Sequence, residues 1–238
     1  APSFRSYPFL KEFDNRVRMY PIMSPGELTL SVEYFNYDGG RIGAKEVGMM
    51  RSPGTEFIDF SIASDAVKSG INLDDLAAYS ISATPISSNT PTRINHQIVY
   101  GNKDEKSPLA ASINVSLLNS NVFYPQNKRG LTWGQAPVGP EISTTLGIVC
   151  NGSKVETEKL EVSFYSTGGK VIEKNFQLPQ NGALALDVGQ IDEIKNLLNS
   201  EPKIQNIWYE IRSSQSAISA FTASQHNETG HCTGEHSF

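Results

Sequence analysis

The chain has 238 residues and 38% hydrophobic content, enough apolar material for two ordinary cores, so two domains of roughly 100 residues each fit best. Its formal net charge is −5, and its 20 lysines and arginines are scattered singly, which makes nucleic acid and anionic membrane surfaces poor partners. The longest apolar runs, such as Leu146 to Cys150, are strand-length, far short of the roughly 20 residues that a membrane-spanning helix needs and consistent with a soluble chain.

In chain order, the first clear element is Leu28 to Ile42, apolar on alternate residues and interrupted by Gly39-Gly40, which reads as a strand, a hairpin turn and a second strand. Pro53-Gly54 marks a turn before a strand from Glu56 to Phe60. Ile62, Ala66 and Val67 then share one face at helical spacing ahead of Gly70. A strand around Tyr79 and Ile81 follows, and His96 stands seventeen residues after Tyr79.

The same order recurs in the second half. Leu160 to Val171 turns at Gly168-Gly169, Gln180-Asn181-Gly182 marks a turn, and Ala183 to Val188 reads as a strand. Ile191, Ile194, Leu197 and Leu198 form a helical face that stops at Asn199. Tyr209, Ile211 and His226 each stand 130 residues after Tyr79, Ile81 and His96. Short strands, frequent turns and one small helix per copy indicate an all-β fold: two tandem antiparallel β-sandwich domains, Ig-like or jelly-roll-like, each with one short helix. The copies are expected over 1–118 and 140–238, with Gly39/Gly168, Tyr79/Tyr209 and His96/His226 near equivalence. Phe35, Phe57, Phe60, Phe164, Phe176 and Trp208 are expected in the cores.

Residues 119–139 depart from the pattern and read as a linker. Its aromatics Phe123, Tyr124 and Trp133 suggest a segment packed on a domain face, with Trp133 and Tyr124 more than half buried. The competing reading makes Tyr124 and Trp133 a ligand-binding platform. Ser143 to Asn151, the strand-turn-strand through Phe164 to Val171, the Pro179 turn and the late strand Ile218 to His226 resemble, in segment order, the single-domain sandwiches of the sensory rhodopsin transducer family. That resemblance implies an oligomeric, non-enzymatic binding module, and no functional residue carries over.

The C-terminal run places His226, His231, Cys232 and His236 within eleven residues, candidate ligands for zinc or copper, although adjacent His231 and Cys232 would point to opposite faces of a strand. The two cysteines, Cys150 and Cys232, read as unbridged thiols, with one bridge as the alternative. Sequons at Asn114, Asn151 and Asn227 are about as frequent as chance allows in a chain this rich in Asn, Ser and Thr. The sequence opens at Ala1 without an initiator Met or a basic-then-apolar leader, which reads either as simple Met loss or as a leader already removed, so cytoplasmic and exported homes both stay open. Neither a Gly-x-Ser-x-Gly elbow nor a phosphate-binding loop occurs, and no cofactor is implied. The expectation is a non-enzymatic binding protein that recognises a protein partner or forms a homo-oligomer, through exposed strand edges or the aromatic linker. The alternative is a carbohydrate-binding, adhesin-like surface protein.

Overall fold

The computed structural model describes residues 3–22, 25–52, 57–86, 94–119, 130–151, 156–213 and 218–237. The first half holds β1 (Ser3–Pro8), β2 (Phe13–Met19), β3 (Gly26–Phe35), β4 (Arg41–Ser52), β5 (Ile58–Ser61), α1 (Ile62–Lys68), β6 (Ala78–Pro85), β7 (Ile94–Asn102) and β8 (Ala111–Asn119). The second half holds β9 (Gly130–Val138), β10 (Ile142–Cys150), β11 (Thr157–Ser166), β12 (Gly169–Pro179) and β13 (Ala183–Asp187). A single 3-10 turn (Val188–Gln190), α2 (Asp192–Ser200), β14 (Gln205–Ser213), β15 (Ile218–His226) and β16 (Cys232–His236) complete it. No helix among the described residues is long and apolar enough to cross a membrane.

The strand order repeats. In the first half the sheet runs β4-β3-β6-β1-β8-β7-β2-β5, joined in the middle only by the short contacts Ser3–Asn119 and Phe4–Leu118 between β1 and β8. In the second half the same two groups of four are separate sheets, β12-β11-β14-β9 and β13-β10-β15-β16. Hairpins β3–β4 and β7–β8, like β11–β12 and β15–β16, stay within a sheet, and the other connections within each half cross between the two groups. This is a sandwich of two antiparallel layers, built twice.

The registers align the copies residue by residue. Tyr79 pairs with Tyr34 on one side and Tyr7 on the other, while Tyr209 pairs with Phe164 and Gly134. Each copy carries a bulge directly after that row, at Tyr34/Phe35 and at Phe164/Tyr165. Gly39 and Gly168 both lie in the following hairpin turn. The helix entries match as well: Ser61 caps α1 by accepting from the Ser64 N–H, and Asp187 caps the 3-10 turn by accepting from the Gly189 N–H.

Two expectations need correction. Gly130–Val138 is not linker: it is β9, the counterpart of β1, and it pairs with β14 along its whole length. His96 and His226 are not counterparts either. Asn102 and His226 each end their strand opposite the first residue of its partner, Phe13 or Ile142, and each accepts a turn N–H, from Lys106 or Thr229, on its side chain. Six residues earlier, His96 corresponds to Ala220. The equal spacing from Tyr79 and Tyr209 arose because the β6–β7 and β14–β15 connections differ in length.

The inner sheet of the second sandwich, β13-β10-β15-β16, is covered on both faces. Leu146, Ile148, Cys150 and Ala220 point into the second core, whereas Val149, Ala183, Phe221, Ala223 and Cys232 belong to the core of the first. Phe221 packs into the core of the first sandwich against β1, its ring 5.6 Å from Tyr7 and 5.9 Å from the Arg5 guanidinium. A Cβ on Gly147 would stand 2.6 Å from Pro8 Cγ and 2.7 Å from Leu10 Cδ2, so only a glycine lets the two halves approach this closely. Asn151 fastens the joint: its Oδ1 accepts from the Ser6 N–H at 2.9 Å, its Nδ2 donates to Ser219 Oγ at 2.6 Å, and it is fully buried.

No disulfide joins the two cysteines. Cys150 lies opposite Ile218 and Cys232 opposite Gln225, seven residues apart along β15, a strand distance of about 23 Å that no disulfide spans. They also lie in different cores.

Candidate functional site

Strand alternation decides what the outer sheet shows to solvent. On β14, Ile207, Tyr209 and Ile211 are buried in the second core, so Asn206, Trp208, Glu210 and Arg212 point outward. On β9, Ala136 and Val138 are buried while Leu131 and Trp133 are exposed. Opposite pairs bring the outward sets together: Leu131 faces Arg212, Trp133 faces Glu210, and Gln135 faces Trp208.

The two indoles therefore lie diagonally across neighbouring strands, with ring centroids 5.8 Å apart and planes 33° from parallel. Trp133 keeps 45% of its surface exposed, Trp208 40% and Leu131 59%. Tyr165, on β11, extends the aromatic row beyond Trp208. The chain has only two tryptophans, and both are here. Beneath them Gly134 leaves room for the Tyr209 side chain, whose hydroxyl a Cβ would meet at 2.4 Å and whose ring it would meet at 2.7 Å, and the Tyr209 hydroxyl is hydrogen-bonded to Ser237 Oγ at 2.6 Å.

Polar side chains border the rings. Asn206 Nδ2 donates to Gln135 Oε1 at 3.1 Å, locking two amides next to Trp208. Arg212 forms ion pairs with Glu210 at 2.6 Å and Glu161 at 3.4 Å. The Arg212 charge is thus more than matched by two carboxylates.

The duplication supplies an internal comparison. By register, Phe4, Ser6 and Pro8 occupy in the first sandwich the places of Leu131, Trp133 and Gln135, and Ala78 and Ser80 those of Trp208 and Glu210. Ser6, Ala78 and Ser80 are small and buried, and Ser6 and Pro8 meet the second sandwich. Where the first copy has small residues at a joint, the second presents two exposed indoles.

Trp133, expected as a linker anchor more than half buried, is on a strand and keeps 45% of its surface exposed, and Tyr124 lies outside the described residues. Trp208 and Phe57, expected in the cores, are at the surface, Phe57 with 54% exposed and the Arg18 guanidinium 5.7 Å from its ring centroid. The period-two pattern of Ile207 to Ile211 already assigns Trp208 to the outer face, because Ile207, Tyr209 and Ile211 claim the inner one.

The C-terminal ligand set does not assemble. His226, His231, Cys232 and His236 are strung along the β15–β16 hairpin, and among the described residues no three His, Cys, Asp or Glu side chains gather as a metal site. His226 Nε2 instead faces the Glu141 carboxylate at 3.6 Å, and His236 is opposite Phe221. Burial pushes the Cys232 thiol up to about 11, so it stays protonated at neutral pH, and it bonds to Gly230 O at 3.4 Å.

A cleft of about 670 Å³ runs beside α1, over Phe9, Phe13 and Ile71. Its charged rim is largely committed: Lys11 pairs with Asp74, and Arg16 with Asp59. The long edge strands carry charges that discourage pairing with another chain, Lys45, Glu46 and Arg51 on β4 and Lys170, Glu173 and Lys174 on β12. On the β9 edge, the Gln135 N–H is taken by Glu235 Oε1 at 3.3 Å.

No family model matches the chain, and no curated protein matches it. Among solved structures, the C-terminal domain of the Streptococcus agalactiae AgI/II polypeptide BspA aligns at 10% identity over 94% of this chain and 83% of that one, with a TM-score of 0.21. The C-terminal domain of the Streptococcus pyogenes antigen I/II-family protein AspA aligns at 8% identity over 99% and 98%, with a TM-score of 0.23. The VP2 subviral particle of infectious bursal disease virus aligns at 11% identity over 94% and 59%, with a TM-score of 0.23. At scores this low the likeness carries no weight for fold or function.

Proposed function

We propose that this chain is a non-enzymatic recognition protein whose binding surface is the outer face of the β12-β11-β14-β9 sheet, centred on Trp133 and Trp208. The observation that carries the reading is the exposed indole pair itself. Large rigid aromatics are a surface's strongest sources of binding energy per ordered side chain, and these two share one contiguous patch on neighbouring strands. Strand-edge association fits less well, because the long edges are charged and the β9 edge is partly capped.

An array carrying glycans, matrix proteins and proline-rich peptides tests the reading. The wild-type chain is expected to bind at least one class of feature, and a W133A/W208A double variant to lose that signal while keeping a folded circular dichroism spectrum and a cooperative unfolding transition. Equal array patterns for the two proteins would contradict it.

A further inference from the structure

Resting on that reading, we infer that the ligand of the Trp133–Trp208 face is a neutral, unbranched oligosaccharide, with successive sugar rings stacked on the two indoles. A pyranose presents a flat apolar face of C–H bonds and a rim of hydroxyls, so its ideal complement is an aromatic face bordered by paired donors and acceptors. Both parts are present. The indole centroids are 5.8 Å apart and the planes 33° from parallel, so the two rings touch and form one continuous aromatic surface along which a sugar chain can lie.

The border has the matching chemistry. Gln135 and Asn206, held together at 3.1 Å, offer amide donors and acceptors beside Trp208. Arg212 and Glu210, paired at 2.6 Å, offer fixed N–H groups and carboxylate oxygens beside Trp133 and Leu131. Planar groups of this kind, already oriented by their own partners, meet a hydroxyl as both donor and acceptor without a further entropic cost.

Charge selects among ligands that could stack. Arg212, the cation nearest the indoles, is matched by Glu210 and Glu161 and the whole chain carries −5, so a phosphate-bearing or uronic-acid chain is disfavoured beside the two rings. The apolar part, two indoles and Leu131, is closely bordered by polar side chains. A stable protein partner needs about 800 Å² on each side, whereas two stacked rings with a polar border suffice for a short sugar chain.

Tryptophan emission reports on this face alone. Titration with neutral oligosaccharides of glucose, xylose, mannose and N-acetylglucosamine, one to six units long, is expected to give at least one saturable emission change. Affinity should rise by about tenfold or more between the monosaccharide and the trisaccharide as the second ring engages. W133A and W208A should each weaken that ligand about tenfold by calorimetry, with unfolding midpoints unchanged. Silence toward every neutral oligosaccharide, combined with Trp-dependent array binding to a protein or proline-rich peptide, would overturn the sugar inference and leave the recognition reading standing. Tighter, salt-sensitive binding of an acidic glycan would overturn the neutral class. Absence of Trp-dependent array binding of any kind would overturn both.

Discussion

Phe221→Ala is expected to cost about 3–5 kcal/mol of folding stability, the range for emptying a fully buried aromatic site. The side chain belongs to β15 of the second sandwich yet is fully buried in the core of the first, against Tyr7 and Arg5 of β1. The sheet above it cannot sink into the gap, because Gly147 already brings β10 into contact with Pro8 and Leu10. Denaturant unfolding followed by far-ultraviolet circular dichroism measures the loss. Phe221→Leu should recover more than half of it, since most of the volume is restored. A loss below about 1 kcal/mol for Phe221→Ala would mean that the halves are not joined through this ring.

The second large effect is acid sensitivity centred on His96. Burial, with help from the nearby Arg5 guanidinium, pulls its imidazole down to about 3 from the usual 6.5, and the ring shares a buried hydrogen bond with the Tyr7 hydroxyl. In the unfolded chain the same imidazole takes a proton near pH 6.5, so between that pH and about 3 the unfolded state binds more protons than the folded one. Stability therefore falls as the pH falls through this window, by about 1.4 kcal/mol per unit well inside it and by about 4 kcal/mol across it. The upper part, from pH 6 to 5, lies above the usual range of carboxylates and isolates the histidine. His96→Gln keeps a neutral polar partner near Tyr7 and should flatten stability over that unit relative to wild type. An unchanged slope in the variant would show that His96 is not the group responsible.

Much of the fold is legible in the sequence because most strands bury one face only. β3 alternates as Leu28, Leu30, Val32 and Tyr34, all fully buried, and the Gly-Gly turns follow both copies of this strand. Two elements resist that reading for a physical reason. β10 and β15 are buried on both faces and are filled with small residues, Gly147, Ser219, Ala220, Thr222 and Ala223, which fit between two cores but give no alternating signal. β9 was read as linker because Thr132, Gly134 and Gln135 interrupt any apolar period, and Gly134 stands there to admit the Tyr209 ring.

The candidate site was half legible. Trp133 stood out as an aromatic in an unusual context, and Trp208 was assigned to the core on residue type alone. Its place between Ile207 and Tyr209 carries the better information, since neighbours on a strand face opposite ways. What sequence cannot supply is the pairing of β9 with β14, a contact between strands about 70 residues apart that brings two separate tryptophans into one surface. The histidine cluster shows the converse: residues close in sequence were laid out along a hairpin and never converge.

The claim that Trp133 and Trp208 form the recognition surface is tested most directly by their own indole N–H resonances. A ¹⁵N-labelled chain gives two such signals, one for each tryptophan in the sequence, assignable with W133A and W208A. The array feature bound most strongly is then titrated into the sample. Both indole signals are expected to shift together, saturating with a single dissociation constant equal to that measured by calorimetry. Saturable binding of that ligand with neither indole signal moving would contradict the assignment of the surface.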